Sequence, residues 1–411
     1  MDIREQKITN WNPYSPGYFE NPYKHLLDCQ LSNPIQESFN KFVVLFKHKH
    51  VKEALKHDEF NTSNLNGFFK TKEPIIFKNS GGCPFLAKST SKWLMYLDGQ
   101  EHNHARIFLE KGLNLFNYEK IVEEAINEAI AKLNFNNNSE FDIVDLCANL
   151  PIFVINKIIG ISADIPLKKF KDVSHSLAIS QDMFVSIPMY LEINKDMEWF
   201  FEFFSVLYDA AEKKSNDSLI SYLIEINEQQ IIKFNKDEII SMLMILFLAA
   251  IETSKDSISM IFHELLKNRA LIQILKQGNK IERNLLIEEF FRFISPLQYT
   301  IRENTSAFEI EGKLIPANSK LLLCLASANR DIEVFNNPNE IVPDRNSNPH
   351  FAFGSGKHSC LGAKLARIEL RHFLPKIAPL IEKLDFHPLH QPVWQKTIMM
   401  RGLKSLMVVK N

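Results

Sequence analysis

The sequence predicts a mainly α-helical protein with small β-sheets, and three features indicate it. Apolar residues recur at helical spacing along Asn235–Lys267. Phe308–Leu325 alternates apolar and polar residues around a turn, as paired strands do. The segment 351–370, FAFGSGKHSCLGAKLARIEL, places glycines around one cysteine directly before an amphipathic stretch. Because glycine permits positive φ and close backbone approach, we expect a tight loop that presents Cys360 near the start of a helix.

The composition limits the class of protein. The 411 residues include 48 Lys and Arg against 49 Asp and Glu, so the net charge of −1 gives no indication of a nucleic acid or an anionic membrane as partner. The five cysteines follow no zinc or redox spacing, which favours a reducing compartment, and we expect the cytoplasm. No signal peptide is expected, and the longest apolar run, Met242–Ile251, is too short to span a bilayer. We therefore expect a soluble protein.

Turn signals and periodicity predict the order of the elements. Phe42–Phe46 is predicted to be a buried strand, Val51–His57 a helix and 62–92 a loop-rich stretch. Further helices are predicted over Tyr118–Leu133, Asp142–Ile161, two or three segments of 167–232 interrupted at Pro188, and Asn235–Lys267. We expect a single domain over 1–411, β-rich at about 35–60 and 300–345 and helical at about 97–295 and 360–386.

The longest predicted helix carries two polar residues in its middle. Asn235, with Glu238 three residues later, predicts its N-terminus, and Met242–Ala250 is apolar all round, which predicts burial. Glu252 and Thr253 follow, and burying them unpaired would be costly. Two interpretations stay open. Thr253 bonds back to a backbone carbonyl while Glu252 pairs with a cation, or the two form a working acid–alcohol pair at a break in the helix.

Cys360 also has two interpretations. A sulfur near a helix N-terminus is biased toward the thiolate that a metal ligand needs, whereas a free cysteine is often a small buried hydrophobe. The full string Phe353-Gly354-x-Gly356-x-His358-x-Cys360-x-Gly362 resembles the haem-ligand loop of the cytochrome P450 family. The resemblance implies the P450 fold with a long central helix over haem b. It also implies Cys360 as the axial thiolate on the iron, Phe353 against the proximal side and His358 at a propionate.

The resemblance covers the chain from about residue 97 to 409 through six separate motifs, and it implies closing strands within 392–406. His102 and Arg106, spaced H-x-x-x-R, match the pair that holds haem propionates in the family, and Arg302 matches another propionate contact. The alternatives are a solvated helix face for the pair and a free surface arginine for Arg302. The family network of Glu289, Arg292 and Arg345 is structural, and we assign these residues to folding.

The segment Ala249-Ala250-Ile251-Glu252-Thr253 resembles the family motif (A/G)-G-x-(D/E)-T, with Ala250 in place of the usual glycine. The resemblance implies that Ala249 contacts the haem, that Glu252 brings protons from solvent and that Thr253 donates a hydrogen bond at the oxygen site. Removal of the Thr253 hydroxyl is then expected to uncouple electron consumption from product formation.

The resemblance implies a haem-thiolate monooxygenase that inserts one oxygen atom of O2 into a small or medium organic substrate, by hydroxylation or oxidative O-demethylation. No flavin or iron–sulfur segment is evident, so a ferredoxin or flavodoxin with its NAD(P)H-dependent reductase is expected to supply electrons. Lys357, Lys364 and Arg367 form either its basic docking face or a merely solvated face. The alternatives to this activity are a hydrogen-peroxide-driven peroxygenase, against which the Glu252–Thr253 pair argues, and a non-catalytic haem sensor or carrier.

Five segments are predicted to line the substrate pocket: Gly67–Trp93, His175–Ile193, Leu246–Ala250, Leu297–Thr300 and Ile398–Met400. They mix apolar residues such as Phe184 and Leu297 with polar residues such as Gln181 and Thr300. Such a lining suits a partly oxygenated molecule of modest size: a terpenoid, a polyketide or peptide intermediate, or a methoxylated sugar.

Overall fold

The computed structural model describes residues 9–62, 82–132, 140–162, 166–183 and 185–411. The helices are α1 (Tyr23–Ser32), α2 (His48–Lys56), α3 (Pro84–Ser89), α4 (Gly99–Leu113), α5 (Tyr118–Ala131), α6 (Ile143–Ile159), α7 (Leu167–Ser180), α8 (Ile187–Lys213), α9 (Leu219–Glu228), α10 (Lys236–Lys267), α11 (Arg269–Gln277), α12 (Lys280–Ile294), α13 (Leu325–Ala328) and α14 (Ala363–Ile381). The strands are β1 (Ile35–Glu37), β2 (Val43–Leu45), β3 (Phe60–Asn61), β4 (Glu140–Asp142), β5 (Tyr299–Asn304), β6 (Phe308–Ile310), β7 (Lys313–Ile315), β8 (Lys320–Cys324), β9 (Leu384–Phe386), β10 (Val393–Trp394), β11 (Leu403–Ser405) and β12 (Met407–Lys410).

The chain forms two compact units, and the first contains the sheets. It comprises Met1–Ser63, Asn134–Asp145 and Asp256–Asn411. Its largest sheet has the order β1-β2-β8-β5-β3, in which β2 and β8 are parallel and the other neighbours antiparallel. Apolar side chains of this sheet pack with α2 and with the loop residue Phe351 into one buried cluster. The cluster anchors one end of the cysteine loop in the core.

The second unit, Asn64–Leu133 and Leu146–Lys255, is helical in its described residues. Its interior is rich in aromatic rings. Phe170 lies edge-on to Phe200 at 6.0 Å between ring centroids, and Phe247 of α10 lies 5.2 Å from Phe200. These rings are fully buried and form part of the core of this unit.

The predicted central helix is confirmed. Asn235 Oδ1 accepts from Glu238 N at 3.0 Å, and Glu238 Oε2 accepts from Asn235 N at 2.8 Å, so the two residues form a reciprocal cap. The 32 residues of α10 give a rod of about 48 Å. None of the helices in the described part of the chain is long and apolar enough to cross a membrane.

One predicted detail is wrong. The hairpin does not reach Leu325, because β6 and β7 already pair across Glu311-Gly312, where both residues have positive φ, and β8 instead joins the large sheet. The break predicted at Pro188 is confirmed, because α7 ends at Ser180 and α8 begins at Ile187, with Pro188 in its first turn, where the missing N–H costs nothing. Residues 67–81 and Phe184, expected near the substrate, lie outside the described residues.

Candidate haem site

The cysteine loop is closed by its own backbone. Cys360 N donates to Phe353 O at 2.8 Å, and a short turn of 3-10 helix, Gly356–His358, lies between them. Gly356 has φ +74°, and a Cβ built on it would lie 2.7 Å from Leu55 O, so both conformation and space require glycine. The loop leads directly into α14, which begins at Ala363. The predicted presentation of Cys360 before a helix N-terminus is confirmed.

Cys360 differs from the other cysteines in exposure. The four others, Cys29, Cys83, Cys147 and Cys324, are buried, and Cys360 is exposed. Burial raises the pKa of the Cys29 and Cys324 thiols to about 12, which holds them as thiols. The interpretation of Cys360 as a small buried hydrophobe is therefore wrong, and its sulfur is the accessible one.

Phe353 lies in a cluster that the sequence interpretation missed. The Arg367 guanidinium lies 4.4 Å from the centroid of the Phe353 ring, and the Phe291 ring lies 4.7 Å from it. Glu288 binds Arg367 through both oxygens, at 2.6 Å to Nε and 2.9 Å to Nη2, and also faces His350 at 3.3 Å. Although burial opposes it, these partners lower the pKa of Glu288 to about 2. Arg367 is thus paired within the chain, and its role in docking stays a prediction.

The structural network next to this cluster is confirmed. Glu289, fully buried, accepts from Arg292 Nε at 2.8 Å and Nη2 at 2.7 Å, and from Arg345 Nε at 2.9 Å. Arg292 also donates to the carbonyls of Asn329, Pro338 and Glu340. Its hydrogen bonds thereby fix the segment that leads into the cysteine loop. Glu288 directly precedes Glu289 in the sequence, and this position next to the E-x-x-R motif is the signal that points to it.

Arg302 is buried, with 5% of its surface exposed, which excludes the free surface arginine. It lies on β5, and its Nη1 donates to Thr300 Oγ1 at 3.1 Å and to Ile301 O at 2.8 Å. His358 is half-buried in the turn of the cysteine loop. Arg302, His358, Phe353 and Cys360 all belong to the first unit.

His102 and Arg106 lie on α4 in the second unit. His102 is 1% exposed, so the pair is not a simple solvated face. Arg106 is half-buried, and its Nε donates to Glu110 Oε1 at 2.8 Å. The helix begins at Gly99, after Asp98 in extended conformation, so the H-x-x-x-R pair is helical as predicted.

One face of α10 is open although it is mostly apolar. Leu246, Ala249, Ala250 and Thr253 recur at the spacing of a single helix face, and all four are half-buried or exposed, whereas Phe247 on another face is buried. The expectation that Met242–Ala250 is buried all round is wrong on this face. An accessible apolar helix face next to a hydroxyl group can pack against a flat, largely apolar ring system that has a polar centre.

The polar residues of α10 have the contacts of the simpler interpretation. Thr253 Oγ1 donates to Ala249 O at 2.7 Å, and Lys255 Nζ pairs with Glu252 Oε2 in a buried ion pair. The helix is continuous from Lys236 to Lys267, so the predicted break is not seen. The acid–alcohol role of Glu252 and Thr253 remains a prediction.

Each unit, taken by itself, carries groups that suit a haem. Within the first unit, one loop carries an exposed sulfur, an aromatic ring and a half-buried imidazole, and β5 carries a buried guanidinium. Within the second unit, α10 leaves an apolar face open, and α4 carries a histidine and an arginine. Thiolate sulfur suits iron, and cationic groups suit propionates.

Comparison with known proteins agrees with this chemistry. The family model of Cytochrome P450 matches residues 35–278 and 284–405. A Bacillus subtilis protein named Cytochrome P450 is 27% identical over 392 residues, 93% of this chain and 92% of the relative. A beta-dihydromenaquinone-9 omega-hydroxylase of Mycobacterium bovis is 25% identical over 98% of this chain and 78% of the relative.

A solved structure of P450BioI in complex with hexadec-9Z-enoic acid ligated acyl carrier protein has the same fold. Its TM-score is 0.82 at 23% identity, over 96% of this chain and 99% of that one. Taken with the family model, these similarities assign both the fold and the haem b cofactor with cysteine thiolate ligation. The chain therefore belongs to the cytochrome P450 family of haem-thiolate monooxygenases.

Proposed function

We propose that Cys360 supplies the thiolate through which this monooxygenase holds its haem iron. The observation that carries the proposal is the exposed sulfur on a glycine-shaped loop, in a chain whose other cysteines are buried. When bound through a thiolate, haem b activates dioxygen and carries the oxidation. The loop supports the sulfur, because its N–H bond to Phe353 O fixes the backbone of Cys360.

The cationic side chains are proposed to hold the propionates. Arg302 and His102 are almost fully buried, and a buried cation or imidazole suits an anionic partner. Arg106 and His358, both half-buried, are proposed to complete the set. Phe353 lies against the proximal side in this proposal, and Ala249 contacts the haem from the open face of α10.

Proton supply is proposed to run through Glu252 and Thr253. Glu252 is 5% exposed and bound to Lys255, so its carboxylate oxygen can pass a proton between the ammonium and the interior. The Thr253 hydroxyl donates to Ala249 O in the structure, and a rotation about χ1 redirects the hydroxyl into the site. The pair favours a monooxygenase supplied with electrons by a ferredoxin or flavodoxin and its NAD(P)H-dependent reductase over a peroxygenase.

The proposed reaction is hydroxylation or oxidative O-demethylation of a partly oxygenated molecule of modest size. Leu246 is half-buried in the second unit, and Leu297 and Met400 pair with each other in the first unit, so each unit by itself carries apolar side chains that suit such a substrate. The relatives add aliphatic chains to the candidates, because one is named as a hydroxylase of a dihydromenaquinone and P450BioI was solved with an acyl chain on its carrier protein. Terpenoids, polyketide or peptide intermediates and methoxylated sugars remain in the proposal.

Replacing Cys360 tests whether its sulfur is the ligand of the haem iron. Cys360→Ser, expressed with ample haem, is expected to lose the carbon monoxide spectrum of a thiolate-bound ferrous haem, whereas Cys29→Ala keeps it. An unchanged spectrum in Cys360→Ser contradicts the proposal. Titrating the wild type with a terpenoid, a long-chain fatty acid and a methoxylated sugar, and reading the shift of the haem spectrum, then tests the substrate class.

A further inference from the structure

Asp256 is a fully buried carboxylate that the haem chemistry does not use. It lies on α10, three residues after Thr253, and accepts a hydrogen bond from Gln395 Nε2 at 3.0 Å. Gly402 lies directly against it, because a Cβ on that glycine would overlap the Asp256 carboxylate. Gly402 has no positive φ, so close approach is the reason for glycine there.

Gln395 and Gly402, both next to Asp256, close one loop. Gln395 N donates to Gly402 O at 3.0 Å, directly beyond the antiparallel pairing of β10 with β11. Gln395 therefore joins the loop ends to each other through its backbone and to α10 through its side chain. Residues 395–402, whose ends this bond joins, form the loop.

The tip of this loop pairs with another segment. Gln298 N donates to Met399 O at 2.9 Å, Arg401 N donates to Pro296 O at 2.7 Å, and Met400 forms a bridge with Leu297. Met399 and Met400 are buried, at 8% and 9% exposure. A shift of the loop ends would thus move two of the segments predicted to contact substrate, because their backbones are hydrogen-bonded to each other.

We propose that Asp256 is a positioning residue that holds the loop 395–402, and through it Leu297 and Met400, at the distance from α10 that the substrate requires. The proposal rests on the proposed function for the contact of these two residues with substrate. Asp256 touches neither substrate nor haem in this role. Its effect is on the affinity for bulky ligands.

Hydrogen exchange tests the holding role without any haem chemistry. In Asp256→Ala, exchange of the backbone amides of 395–402 is expected to accelerate about tenfold. Lys404→Ala, an exposed change on β11, is the matched control and is expected to leave exchange unchanged. Exchange that stays at the wild-type rate in Asp256→Ala overturns the proposal, whatever the role of Cys360.

Ligand binding tests the positioning role. In Asp256→Ala, the dissociation constant of 4-phenylimidazole, read from the haem spectrum, is expected to rise about tenfold, while that of imidazole, which is too small to reach the loop, stays constant. Asp256→Asn keeps an acceptor for Gln395, so the dissociation constants of both ligands are expected to equal those of the wild type. Should Asp256→Ala fail to fold, Gln395→Ala removes the same bond from the loop side. Equal effects on both ligands, or none, overturn the positioning role, and a wild type without the thiolate spectrum instead contradicts the proposed function.

Discussion

Thr253 donates its hydroxyl proton to the carbonyl of Ala249, one turn earlier on α10, at 2.7 Å. This bond explains how the chain tolerates a hydroxyl in an apolar helix, because the proton is satisfied without a ligand. The helix is continuous at this point, where Ala250 replaces the glycine of the family motif. A role of Thr253 in proton supply then requires that the hydroxyl leave this carbonyl when ligand binds.

Thr253→Ala is expected to uncouple the enzyme. NAD(P)H consumption continues, since the electron path does not use the hydroxyl, but peroxide replaces most of the product because proton supply is impaired. Measuring NADH oxidised, peroxide released and product formed in the same reaction checks the effect. Thr253→Ser, which retains the hydroxyl, is the control. Unchanged coupling in Thr253→Ala would reject the role.

Removing the buried acid next to the loop is expected to destabilise the fold. Glu289→Gln leaves Arg292 and Arg345 without their carboxylate, and breaking a buried ion pair in this way costs about 3–5 kcal/mol. Urea unfolding measures the loss of unfolding free energy. Glu309→Gln, an exposed change on β6, is expected to cost nothing measurable. Similar stabilities of the two variants would show that the network is dispensable.

The contribution of Glu288 to stability is expected to depend on pH. Its pKa is lowered from 4.5 to about 2 by His350 and Arg367, so the carboxylate stabilises the folded state above pH 4.5, and this contribution is lost as the pH falls toward 2. Wild type is therefore expected to exceed Glu288→Gln in unfolding free energy at neutral pH and to converge with it in acid. Denaturant titrations over that range measure the difference. A gap that widens in acid would contradict the assignment.

Lys357 and Lys364 are expected to contribute to docking of the electron donor more than Arg367. Lys364 is exposed, and Lys357 is half-buried with its Nζ donating to Asp58 O at 3.3 Å, while Arg367 is paired with the Glu288 carboxylate and packs on Phe353. Reversing both lysines to Glu is expected to slow reduction by an acidic ferredoxin about tenfold at low salt, with a smaller effect at high salt. Stopped-flow reduction measures the rate.

The control for docking is the exposed pair Lys213 and Lys214, whose reversal changes the net charge equally. If reversal at Lys213 and Lys214 slows reduction as much as reversal at Lys357 and Lys364, the effect comes from the total charge. The proposal that Lys357 and Lys364 form a docking face is then rejected. In Arg367→Gln, the carbon monoxide spectrum is expected to change while the rate of reduction stays at the wild-type value, because the Arg367 side chain packs on Phe353.

The sequence determined the elements and most of the candidate site residues. Helical periodicity and a capping pair predicted α10, and the spacing of glycines around Cys360 predicted the loop, because these features depend on neighbours within a few residues. The haem motifs were readable for the same reason, since each is a short string.

Only the tertiary structure decided which side chains are open and which are paired. It showed that Arg367 belongs to Glu288 and Phe353, that Asp256 meets Gly402, and that one face of α10 is uncovered. These partners are separated by tens of residues or more, and no local pattern encodes their approach. Burial and pairing depend on what the folded chain brings alongside each side chain, so they follow from packing and not from propensity.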